Sequence, residues 1–277
     1  PQNHDGSTGG WGRLREGLKR SLNLISVRIV QELISPADIV ENAKQFGINT
    51  SIKPVDAIAL GVSDVTLIDI SSVYSTISNN GIYKDPIAIT KIENRYGKVI
   101  WEYTPNHKEI KNESIIYLIR DLMKSVIDKG TGSSIRWKYK FTAPAAGKTG
   151  TTDSKTDAWF VGFTPQITMG VWIGMDNPAI SLGKKQFGSS AALPIWATTM
   201  KDIYDLGDFH INENEMIKLE KNLDWNQPNG IVNFEICSET YKKPTDWCPV
   251  KKEIYLKEYQ PLRMCDKHSN PFYRFSN

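Results

Sequence analysis

The sequence predicts a mixed α/β fold in which an antiparallel sheet is flanked by helices, and three observations predict it. First, "AWFVGFTP" and "ITMGVWIGMDN" are rich in aromatic and β-branched residues and meet at Pro165 and Gln166, which reads as two strands of a meander. Second, "FTAPAAGKTGTT" precedes them across the polar turn "DSKTD" and supplies a third strand. Third, apolar residues recur at helical spacing both before this region, as in Leu14 and Leu18, and after it, as in Trp196 and Met200.

Along the chain, "LREGLKR" reads as a helix and "LISVRIVQEL" as another apolar-periodic run, so Ser21–Leu22–Asn23 sits at a junction between helices. In "VYSTISNNGIYKDP", Asn79, Asn80 and Gly81 form a turn ahead of a strand-like stretch. Residues 106–112 are polar and read as a linker before a helix from Ser114 to Lys129. In the meander, Trp159, Phe160, Val161, Phe163, Val171, Trp172 and Ile173 are expected to be strand-core residues rather than a cofactor box. The helix containing Trp196 and Met200 is expected to pack on that sheet, and the polar "GDFHINENE" marks a boundary, giving a domain over 1–207 and an extension with three cysteines over 208–277.

Composition excludes several classes. The chain has 277 residues, 40% hydrophobic and 23% charged, with a net charge of +3, so it can bury a substantial core and offers no basic stripe for nucleic acid. "WKYKF" at 137–141 is too short for a nucleic-acid patch, and no apolar run approaches the roughly 18 residues that span a bilayer. The Gly147–Lys148–Thr149 step is not a phosphate loop. A P-loop has glycine five positions before its Gly-Lys pair, where this chain has Thr142, and Pro144 removes an N–H donor from the cradle.

The same lysine fits acyl-transfer chemistry. A Lys-Thr-Gly strand with an Ser-x-x-Lys motif and an Ser-x-Asn-type triplet is the signature set of penicillin-binding proteins and class A β-lactamases. Two triplets fit the pattern, Ser21 to Asn23 and Ser78 to Asn80; the first, at the helix junction, is taken as functional and the second as a turn. Lys148, Thr149, Gly150 and Thr151 would lie on a strand edge that can meet an extended peptide, with Gly150 clearing space for it.

In this order, "LREGLKRSLNLISVRI", "DVTLIDISSVYSTISNNGIYKDPIAITKIENRYGKVIWE", "DKGTGSSIR", "AAGKTGTTDSKTDAWFVGFTPQITMGVWIGMDN" and "ALPIWATTM" resemble the transpeptidase domain of the bifunctional, class A penicillin-binding proteins. The resemblance covers residues 1 to 205, and the tail resembles the cysteine-bearing extension that some members carry. It implies a penicillin-binding/β-lactamase-like transpeptidase fold with its N-terminal part missing. It also implies cross-linking of D-Ala-D-Ala stem peptides through an acyl-serine, acylation by β-lactams, no cofactor and no metal. Ser21 would relay a proton to the departing amine and Asn23 would hold the substrate backbone. Lys148 would supply positive charge, Thr149 and Thr151 would bind the substrate carboxylate, and the Thr151 N–H would be an oxyanion donor. A same-fold carboxypeptidase or β-lactamase, and a non-catalytic β-lactam or muropeptide sensor, are the alternatives.

The family's order is Ser-x-x-Lys, then Ser-x-Asn, then Lys-Thr-Gly, and no Ser-x-x-Lys precedes Ser21. The match at Ser181 to Lys184 comes after the Lys-Thr-Gly strand and is read as a solvated loop, so the nucleophile is expected upstream of Pro1. The resemblance further implies an extracytoplasmic location, a preceding glycosyltransferase domain, membrane contact only through the missing part, and cell-wall synthesis proteins as possible partners. In that compartment a Cys237–Cys248 disulfide is preferred over a zinc set of Cys237, Cys248, Cys265 and His268.

Overall fold

In the computed structural model, which describes residues 3, 6, 8, 12–177, 179–212 and 215–268, the first two helices meet at a sharp break. Helix α1 (Leu14–Arg20) ends at Ser21, which adopts the left-handed conformation at φ 56° and ψ 52°. The N–H of Leu22 bonds to the carbonyl of Gly17 across that end, a Schellman-type closure usually built on glycine. Helix α2 (Asn23–Glu32) then starts directly. Gly17 permits the close crossing, because a methyl there would lie 2.8 Å from Ile25 Cγ2 of α2. Helix α3 (Pro36–Gln45) follows, capped by the Ser35 hydroxyl, and α4 (Leu67–Ser78) is capped by Thr66, whose hydroxyl accepts from the Asp69 N–H.

Asn80 (φ 54°) and Gly81 (φ 88°) make the expected turn into β1 (Ile82–Lys84). Strands β2 (Lys91–Glu93) and β3 (Val99–Glu102) form an exposed hairpin. The segment read as a linker contains β4 (His107–Glu109), which pairs with β1. Its three residues are exposed, so no alternation of apolar and polar side chains marks it as a strand. Helix α5 (Glu113–Lys129) agrees with the sequence reading, and the short α6 (Ser134–Trp137) leads to the main sheet.

That sheet is an antiparallel meander of β5 (Ala146–Thr151), β6 (Asp157–Phe163) and β7 (Thr168–Gly174), with β6 central. Register pairs Lys148 with Val161 and Gly150 with Trp159. Because strand side chains alternate, Lys148 and Gly150 share one face with Val161 and Phe163, while Thr149 and Thr151 share the other with Phe160. Tyr74 of α4 meets the Phe163 ring edge-on at 6.1 Å on the first face. On the second, Trp196 of α7 (Leu193–Leu206) packs against Phe160 at 5.2 Å and donates through Nε1 to the carbonyls of Gly162 and Met169. Helices on both faces explain why β6 is buried along most of its length, and why Phe160, Phe163 and Trp196 are wholly enclosed. Two residues expected in the core are not. Trp172 is 41% exposed and donates to Asp157, and the half-buried Trp159 ring of the neighbouring strand lies tilted against it at 6.2 Å.

A hairpin of β8 (Asp208–Asn212) and β9 (Glu215–Lys218) follows α7. The chain forms two compact units, one of Pro1–Asn112 with Ile119–Trp225 and one of Glu113–Leu118 with Asn226–Asn277. The second unit is built on one antiparallel hairpin, β10 (Ile231–Cys237) with β11 (Val250–Leu256). The expected Cys237–Cys248 disulfide is not formed: none of the three cysteines is bridged to another. The Cys248 sulfur instead accepts from Thr245, and the Cys237 sulfur lies beside His268. Among the described residues no helix is long and apolar enough to cross a membrane.

Candidate functional site

The left-handed turn that ends α1 aims the Ser21 side chain at β5. Lys148 Nζ donates to Ser21 Oγ at 2.8 Å, joining residues 127 positions apart, and donates also to the Thr149 carbonyl at 2.9 Å. Lys148 keeps partial solvent exposure, yet so much protein surrounds its amine that desolvation pushes its pKa down to about 8. With the lysine donating to it, the Ser21 oxygen is the acceptor of that bond, and its own proton is left to be given elsewhere. Asn23, the first residue of α2, stands two positions on from Ser21 at the same break.

Helix α1 is held in place from behind. Arg15 Nη2 meets Asp121 Oδ2 of α5 at 2.6 Å, and its Nη1 donates to Ser125 Oγ at 2.7 Å and to the Asp121 carbonyl. The loop after α5 then closes on the end of α1: the Thr131 N–H donates to the Lys19 carbonyl at 3.2 Å. A methyl on Gly130 would lie 2.4 Å from that carbonyl oxygen and 2.8 Å from the Val126 oxygen, so glycine is required by the approach of the two backbones.

Thr131 also reaches β5, sharing a 2.9 Å hydrogen bond with the Thr149 hydroxyl. Sequence reasoning missed Thr131 as a site residue; the available signal was its position between Gly130 and Gly132, which reads as an ordinary turn. The Thr151 hydroxyl accepts from the Gly188 N–H at 2.9 Å. Gly188 sits tightly on the strand, since a methyl there would lie 2.4 Å from the Gly150 oxygen and 2.3 Å from the Trp159 oxygen. Gly150 is constrained on its own account, with a methyl falling 3.1 Å from Trp159 Cβ. One long side of β5 pairs with β6, and its other side faces no strand among the described residues, which leaves backbone groups able to meet an extended partner.

The remaining candidates lie apart from this centre. Ser78 donates to the Thr164 carbonyl and Asn80 accepts from Arg120, so the second triplet is occupied in packing a turn. Ser181 contacts the Lys155 carbonyl at 3.4 Å in an exposed loop, and Lys184 is exposed. The arrangement at Ser21 and Lys148 therefore joins a hydroxyl and an amine of lowered basicity beside a strand edge that no described strand pairs with. Such a set can deliver a proton to a leaving amine and hold a carboxylate.

The model of the penicillin binding protein transpeptidase domain matches residues 2–201, and that of the C-terminal domain of penicillin-binding protein 1A matches residues 227–270. Penicillin-binding protein 1A of Clostridium tetani is 31% identical over 288 residues, covering 98% of this chain and 35% of that protein. The Rickettsia typhi protein of the same name is 34% identical over 229 residues, covering 74% and 28%. The chain thus spans about a third of the length of these curated relatives. Among solved structures, Haemophilus influenzae penicillin-binding protein 1A superposes with a TM-score of 0.82 over 96% of this chain and 43% of that one, at 23% identity. PonA1 of Mycobacterium tuberculosis in complex with penicillin V superposes with a TM-score of 0.62 at 26% identity, over 72% and 58%.

Proposed function

Since the chain belongs to the penicillin-binding protein transpeptidase family, we propose that it carries the proton-relay and substrate-anchoring half of a peptidoglycan D-Ala-D-Ala transpeptidase site. The observation that carries this reading is the 2.8 Å contact between Lys148 and Ser21, made across 127 residues at the edge of a strand bearing Lys-Thr-Gly. The acylated serine belongs to a Ser-x-x-Lys segment outside these residues. Its hydroxyl adds to the carbonyl of the penultimate D-Ala, its proton is taken by that segment's lysine, and the peptide C–N bond breaks. Ser21 gives its proton to the departing amine and regains one from Lys148. Asn23 holds the stem-peptide amide. The Thr151 N–H steadies the oxyanion, and Lys148 with the Thr149 hydroxyl meets the terminal carboxylate. Gly150 presents no side chain to obstruct the incoming peptide. An amine of a second stem peptide then attacks the acyl-serine ester and gives its proton through Ser21 back to Lys148, while the ester C–O bond breaks and the serine recovers its proton from the Ser-x-x-Lys lysine.

Two expectations follow from the relatives. The M. tuberculosis relative was solved with penicillin V, which supports acylation of this protein by β-lactams at the same centre. A peptidoglycan substrate places the domain outside the cytoplasm, attached through a membrane anchor and a glycosyltransferase domain beyond this chain. The test is mass mapping of the full-length protein after labelling with a fluorescent penicillin, together with product analysis on stem-peptide substrates. An adduct on the serine of an upstream Ser-x-x-Lys and cross-linked dimers are expected. An adduct on Ser181, or hydrolysed monomer as the sole product, overturns the reading.

A further inference from the structure

The C-terminal unit brings three sulfur atoms and one imidazole to a single point. Cys237 ends β10, Cys248 lies two residues ahead of β11, and Cys265 and His268 follow β11. One ligand atom from each of the four residues can be chosen so that all lie within 4.8 Å of one another. A tetrahedral ion with sulfur at about 2.3 Å and nitrogen at about 2.0 Å requires S···S separations of roughly 3.8 Å and S···N separations of roughly 3.5 Å. His268 Nδ1 stands 3.4 Å from both Cys237 Sγ and Cys265 Sγ. We propose that Cys237, Cys248, Cys265 and His268 hold a structural zinc ion, with His268 ligating through Nδ1.

The surroundings fit thiolates and an oriented imidazole. Each sulfur has a hydrogen-bond donor aimed at it: the Thr240 N–H at Cys237 (3.5 Å), the Thr245 N–H at Cys248 (3.3 Å) and the Thr240 hydroxyl at Cys265 (3.2 Å). His268 Nε2 lies 3.4 Å from Glu239 Oε2. A carboxylate there holds the ring proton on Nε2 and leaves the Nδ1 lone pair facing the sulfurs, the arrangement that commonly orients a metal-bound histidine. Lys267 in turn holds Glu239 at 2.5 Å.

Four protein donors with no place left for water suit a structural ion, and soft sulfur donors select zinc over magnesium or calcium. The unit also needs a cross-link. Its sheet has two strands, a form marginally stable alone, and its buried side chains are few. An ion would tie the end of β10, the start of β11 and the segment after β11 together. A disulfide between any two cysteines would leave the third thiol and His268 outside the cross-link. This inference is independent of the acyl-transfer reading.

The test is metal analysis of the full-length protein purified without chelator or added metal. About one zinc per chain is expected, and cobalt substitution should give thiolate charge-transfer and tetrahedral d–d bands. Cys265→Ser should lose the ion. Where that variant does not fold, Glu239→Gln, which lies outside the ligand set, should weaken zinc retention against a chelator by roughly 10-fold or more. Chelation of the wild-type protein should expose the tail to protease, and returned zinc should protect it again. A disulfide among these cysteines in non-reducing mass mapping, failure to take up zinc when it is supplied, or full zinc content in Cys265→Ser overturns the proposal.

Discussion

Lys148→Met in the full-length protein should separate acylation from stability, because the burial that lowers the basicity of the amine also makes its charge costly to hold in the folded state. The substitution keeps the stem of the side chain and removes the amine that bonds to Ser21 and to the Thr149 carbonyl. A hydrogen bond from a charged donor contributes roughly 1.5–3 kcal/mol. A fixed charge or donor facing developing charge in a dry site contributes on the order of 3 kcal/mol. The two overlap, so penicillin acylation, followed as the second-order rate of fluorescent labelling, should fall roughly 10²- to 10³-fold. Lys184→Ala, in the exposed loop, should stay within about twofold of wild type. Stability should move the other way. The lysine pKa is lowered from 10.5 to about 8 by desolvation, so holding the charge in the folded state costs at most about 3 kcal/mol. The sign follows from linkage: the unfolded chain binds the proton more tightly, so the cost is present below about pH 8 and is relieved as pH rises from about 8 to 10.5. Lys148→Met should therefore melt a few degrees higher than wild type at pH 7, with the difference shrinking toward pH 10. Equal acylation losses in Lys148→Met and Lys184→Ala, or a lowered melting temperature in Lys148→Met, would refute the reasoning.

Ser21→Ala and Ser21→Gly should both slow acylation by roughly 10-fold or more, since each removes the hydroxyl proposed as the proton relay. Only the glycine variant should gain stability, by about 1 kcal/mol, because Ser21 holds a left-handed backbone at φ 56°; equal stability of the two in denaturant titration would remove that cause. Gly130→Ala should destabilise the protein by roughly 1–3 kcal/mol, because its methyl would press on the Lys19 and Val126 oxygens. It should also slow acylation by displacing the end of α1, and a wild-type melting curve would show that the loop yields at no cost.

What could be read from the sequence follows the range of the interactions. Strand β5 and its partners were legible because alternation, aromatic content and a Pro-Gln turn are local features, and local features also placed Ser21 between two helices. The distance from Lys148 to Ser21 is tertiary, and so is the reason for Gly130, whose neighbour is a carbonyl more than a hundred residues earlier in the chain. Thr131 was missed on the same ground: a hydroxyl between two glycines has no local mark that separates a turn from a site wall. The cysteines show a different failure. Their spacing with His268 was visible, but the choice between disulfide and ion rested on compartment, a property of the surroundings rather than of the chain. The structure adds the missing term, since Thr240, Thr245 and Glu239 orient donors and a carboxylate around a four-membered cluster. A disulfide needs two sulfurs and none of that apparatus, whereas an ion uses every part of it.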